Sequence, residues 1–74
     1  MLYVVDWIDR FGSKKEVLIG AKNKRSVLSI ASEECRKLNN GTPVYRMIVQ
    51  GTMTKSGEFR KLKWRPVIGE WSDD

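Results

Sequence analysis

Residues 23–41, NKRSVLSIASEECRKLNNG, decide the fold. Val27, Ile30, Ala31, Cys35 and Leu38 recur at helical spacing and form one apolar stripe. Ser29, Ser32, Glu33, Arg36 and Lys37 take the opposite side. Asn23 carries the short polar side chain that caps the unpaired N–H groups at a helix start. Arg36 and Lys37 suit the negative end of the helix dipole. Asn39-Asn40-Gly41 is a stop, with Gly41 able to take the left-handed cap. The spacing predicts a single amphipathic helix, whose apolar stripe must be covered by the segments on either side.

Those segments read as strands. Upstream, residues 2–10 (LYVVDWIDR) are rich in β-branched and aromatic side chains, Phe11-Gly12-Ser13 is a turn, and residues 14–21 (KKEVLIGA) return. With Asp9 facing Lys14, Val4 and Ile8 share a face with Val17 and Ile19, and Tyr3, Val5 and Trp7 share the other with Leu18. Both faces of this hairpin are then partly apolar, which places it centrally in a sheet or against a partner. Downstream, Pro43 opens a strand over residues 44–54, Lys55-Ser56-Gly57 turns it, and residues 59–68 (FRKLKWRPVI) return. On that return Leu62 and Trp64 read as core and alternate with Lys61, Lys63 and Arg65. The apolar sets of the two strands coincide when facing residue numbers sum to an odd number, as with Val49 opposite Leu62. That requires a loop of two or four residues or an additional bulge, which Gly51 could supply. The predicted architecture is β-β-α-β-β in the α+β class: an antiparallel sheet with one helix packed on one face. Residues 1–70 form a single domain, followed by a short acidic tail over 71–74 whose Trp71 is expected to fold back onto the core.

Composition narrows the chemistry. The 74 residues contain no histidine and one cysteine. A zinc site of the usual kind, an intramolecular disulfide and a neutral-pH imidazole base are therefore out of reach. The carboxylates form no recognisable acid–base pair, since Glu33 and Glu34 are adjacent on the helix and diverge. Cys35 sits in the apolar stripe with no base to activate it and reads as core. An enzyme is not expected, nor is a metal or a cofactor. Residues 1–8 (MLYVVDWI) have neither the basic start nor the long apolar run of a secretion signal, and no stretch is long enough to span a membrane. With a lone thiol, the cytoplasm is the expected compartment.

Charge points to a binding role. The formal net charge is +5, unevenly placed: residues 41–65 carry six cationic side chains against Glu58 alone, whereas Glu70, Asp73 and Asp74 close the chain. Lys61, Lys63 and Arg65, at period two, form a basic ladder joined on the same predicted face by Arg46 and Gln50, with Phe59 beside them. Groups repeating every two residues along a strand lie about 6.6–6.8 Å apart, the scale of successive phosphates. An aromatic next to cations is what a single strand needs for base stacking. Lys14, Lys15, Lys22, Lys24 and Arg25 form a second basic set at the first hairpin and helix entry. Lysine on a strand also guards a sheet against aggregation, the plain structural role for the ladder. The expected function is a small, non-enzymatic nucleic-acid-binding module. The alternative is a protein–protein inhibitor or adaptor, similar in size and layout to small phage-encoded inhibitors, docking on an acidic surface of a host enzyme. The expected partners are thus nucleic acid or an acidic protein surface, not a membrane, with homodimerisation through the first hairpin as a further option.

Overall fold

A computed structural model describes residues 1–72; Asp73 and Asp74 of the acidic tail lie outside the described residues. The order is β1 (Leu2–Ile8), β2 (Lys14–Gly20), α1 (Lys24–Leu38), β3 (Met47–Met53), β4 (Phe59–Lys61) and β5 (Val67–Ile68). The predicted strand-strand-helix-strand-strand order holds, with the last strand broken in two. All pairings are antiparallel, in the spatial order β2-β1-β3-β4, and β5 pairs with β3 beyond the break. The helix is neither long nor apolar enough to cross a membrane.

The first hairpin corrects the predicted register. Ile8, not Asp9, faces Lys14, and facing numbers sum to an even value throughout. The cause is the turn. The Asp9 carboxylate accepts from the N–H groups of Phe11 (2.9 Å) and Ser13 (2.8 Å). Gly12 at φ +83° completes a three-residue loop closed by the Asp9 N–H on the Ser13 carbonyl. The shift puts Tyr3, Val5 and Trp7 on one face with Val17 and Ile19. These residues, with Met47 and Val49 of β3, meet Val27, Ala31 and Cys35 of the helix in one core. The same one-residue shift places Lys14, Glu16 and Leu18 on the face away from the helix.

The second hairpin repeats the device. Its loop is three residues, Lys55-Ser56-Gly57, with Gly57 at φ +88° and the Thr54 N–H on the Glu58 carbonyl at 2.9 Å. The two- or four-residue loop is thereby replaced, and the facing sum is even, with Gly51 opposite Lys61. The bulge lies in the pairing with β1, not with the returning strand, and on Gln50, not Gly51. Between Val49 and Gly51 the pairing with β1 slips by one, leaving Gln50 as the extra residue. A Cβ on Gly51 would collide with the Arg60 carbonyl oxygen and lie 2.8 Å from Phe59 Cε1, so only glycine lets β4 and the Phe59 ring close over β3 here.

The helix is capped as its sequence asks: the Asn23 side chain accepts from the N–H groups of Arg25 and Ser26. At the other end both Asn40 (φ 57°) and Gly41 (φ 83°) take left-handed backbone, and the Gly41 N–H closes the motif on the Arg36 carbonyl at 2.9 Å. Ile30 and Leu38, assigned to the buried stripe, are 37% and 63% exposed, because the helix lies against the sheet on the narrower line Val27-Ala31-Cys35.

Candidate functional site: the open face of the sheet

The helix covers one face of the sheet. On the other, an open groove of about 450 Å³ is lined by Val4, Asp6, Lys14, Glu16, Gln50, Met53, Phe59, Lys61 and Arg65. Four strands and the segment after β4 build it. Asp6 of β1 faces Glu16 of β2, Gly51 of β3 faces Lys61 of β4, and Met53 faces Phe59. Phe59 is 46% exposed and its ring rests on the open space above Gly51.

A polar relay crosses the floor of the groove. Arg65 Nη1 donates to Gln50 Oε1 at 2.7 Å, and Gln50 Nε2 donates to Asp6 Oδ2 at 3.0 Å. Lys14 Nζ stands 3.9 Å from the same carboxylate oxygen. Asp6 is only 8% exposed, so these partners are what make its burial tolerable. The Lys14 pair itself contributes little, since the lysine is half in water. The bulge at Gln50 turns this side chain into the groove, where it bridges a carboxylate on β1 and a guanidinium in the segment between β4 and β5.

The ladder is not continuous. β4 ends at Lys61, whose pairing with Gly51 gives way to Val67 opposite Ile48, so three residues of the returning chain are looped out between them. The looped segment carries Lys63 and Trp64. Hence Lys61 and Arg65 remain in the groove, while Lys63 leaves it. Trp64, read as core, is 68% exposed, with Lys24 Nζ 4.9 Å above its ring at the helix entry. Leu62 alone of that apolar pair packs against the core. Arg46 lies outside the groove too, beside Ile8, Asp9 and Tyr45 at the opposite end of the sheet.

The second basic set divides. Lys14 joins the groove, Lys15 stands 3.9 Å from Asp9, Lys24 reaches Trp64, and Lys22 and Arg25 are exposed near the helix start. Trp71 is half-buried with Lys14 Nζ 5.5 Å from its ring, so the chain beyond β5 does return to the sheet. The acid residues Asp6 and Glu16 are the groove components that the sequence reading missed. The displaced first register hid them, and with Asp9 set as the turn's capping residue they would have been found.

Charge is therefore sorted by strand. The carboxylates lie on β1 and β2, and cations dominate the β4 side, where Lys61 makes no ion pair among the described residues. Arg60, opposite Thr52 on the helix side of the sheet, pairs with Glu58 at 3.5 Å. Compared with known protein families, with curated proteins and with solved structures, the chain matches none.

Proposed function

We propose that the chain binds single-stranded nucleic acid along the β4 side of its open face, without catalysing a reaction on it. The observation that carries this reading is the half-exposed Phe59 in one groove with Lys61 and Arg65. A ring seated on a glycine offers its outer face to a base, and stacking of this kind accepts any base. Lys61, two residues along the same strand, supplies a charge at the spacing of the backbone phosphates. Arg65, anchored through Gln50, holds a planar guanidinium at the groove floor. Beyond the rim, exposed Trp64 with Lys24 and Lys63 extends the basic, aromatic surface toward the helix. The carboxylates on β1 and β2 confine phosphates to the β4 side and give the strand a defined track.

An inhibitor or adaptor role on an acidic protein surface is the second reading. Leu2, Leu18 and Val67, 41–48% exposed on the same face, favour it, because apolar area anchors protein interfaces. Self-association through the first hairpin is compatible with either, since it leaves the groove open.

Titration with a short single-stranded oligonucleotide at several salt concentrations separates these possibilities. Phe59→Ala should weaken binding by about 1–3 kcal/mol and leave the salt slope unchanged. Lys61→Ser should lower the slope of log affinity against log salt by about 0.7, one single-strand phosphate. Arg65 is unsuitable for the same test, since it is half-buried and tied into the Gln50–Asp6 relay. Oligonucleotide binding that ignores both substitutions, or none at low salt, would remove this function in favour of the protein partner.

A further inference from the structure

We infer that two copies of the chain associate edge to edge through β2, antiparallel about a two-fold axis at Val17. β2 ends the sheet on one side. Met1 and Ala21 exchange both backbone bonds (3.2 and 3.0 Å), and the Asp9 N–H bonds the Ser13 carbonyl. The odd-numbered residues of β2 therefore serve β1, and antiparallel alternation aims the N–H and C=O groups of Lys14, Glu16, Leu18 and Gly20 outward. None of these outward groups has a hydrogen-bond partner among the described residues.

The two edges of the sheet are treated differently. On the far side β4 is three residues long and broken by the looped-out segment, a form of edge that does not template another strand. β2 is seven residues long and runs without a bulge or proline. Leu18 is 48% exposed on one face of it, and Ile30 of the helix, 37% exposed, shares a depression with Val17 and Ile19 on the other.

The charge pattern selects a second copy as the occupant. Only registers that align even-numbered residues with even-numbered residues pair the outward groups. An axis at Val17 sets Lys14 against Gly20, Lys15 against Ile19, Glu16 against Leu18, and Val17 against itself. All four outward residues are then hydrogen-bonded and no like charges oppose. Moving the axis to Glu16 sets two glutamates against each other, and moving it to Leu18 sets Lys14 against Lys22. Directly opposed like charges destabilise a strand pair, so both neighbouring registers are disfavoured. The resulting dimer places both helices on one side and joins the two open faces on the other, with Lys14 and Glu16 of each groove at the seam.

Sedimentation velocity without nucleic acid, from micromolar to submillimolar protein, tests this. The average mass should climb from 8.6 kDa toward twice that value. Leu18→Pro removes an N–H that β1 does not use, and Leu18→Lys adds charge at an exposed position. Both variants should keep the parent circular dichroism and stay monomeric. Val17→Cys should form a disulfide-linked dimer on oxidation, since non-hydrogen-bonded antiparallel partners bring Cα atoms to about 4.5 Å. Cys35, fully buried, does not compete. A parent that is monomeric at every concentration overturns the proposal. So does a dimer that survives both Leu18 substitutions, or that leaves the Val17→Cys thiol unlinked.

Discussion

Replacing Asn39 with alanine should cost roughly 2–4 kcal/mol, since it leaves one backbone donor and one backbone acceptor unpaired. Asn39 ends the helix and is 3% exposed. Its Oδ1 accepts from the Arg10 N–H at 2.8 Å, in the turn of the first hairpin, and its Nδ2 donates to the Thr42 carbonyl at 2.9 Å. One side chain thus ties the β1–β2 turn to the helix end and to the loop leading into β3. A chain of this length has a total stability of about 4–11 kcal/mol, so the loss is a large fraction of the whole. Urea unfolding of the variant and parent measures it. A change below about 1 kcal/mol would mean that water replaces the amide at no cost and that the tie is not structural.

The native Cys35 thiol should react with an alkylating agent at pH 8 at least about a hundredfold more slowly than in denaturant. It is fully buried against Val27 and Ala31, and burial, with a smaller contribution from Glu34, pushes its pKa up from 9.0 to about 11. The thiolate that reacts is therefore scarce as well as shielded. The same shift makes stability fall in alkali. Below pH 9 the thiol is protonated in both states and the full stability is present. Between pH 9 and about 11 the unfolded thiol ionises while the folded one does not, and on the order of 2–3 kcal/mol is lost. Cys35→Ala should flatten that part of the pH profile. Rapid native labelling would mean that the helix buries a different face.

The helix and the strand order along the chain were legible because both rest on local signals: period, caps and turn residues. Asn23, Val27, Ala31 and Cys35 do what their spacing implies. The spatial order β2-β1-β3-β4 was not, since periodicity within a strand carries no information on its neighbour. Registers failed for a local reason. In both hairpins a residue before the turn, Asp9 or Thr54, captures backbone N–H groups and fixes a three-residue loop that alternation alone does not reveal. For the groove, Phe59, Lys61, Gln50 and Arg65 were placed together in sequence and lie together in the fold. Lys63 and Trp64 were misplaced because residues 59–68 do not run as one strand: β4 ends at Lys61 and β5 begins at Val67, whereas Arg46 precedes β3 and lies beside Ile8 and Asp9 at the other end of the sheet.

The most direct test of the open-face site follows backbone amide shifts of the folded protein as a short single-stranded oligonucleotide is added. Changes should group on Gln50, Gly51, Phe59, Lys61, Leu62 and Arg65, with the helix C-terminus around Asn39 and Gly41 unmoved. Saturation without shifts on β4, or shifts confined to the helix, would contradict the open-face site.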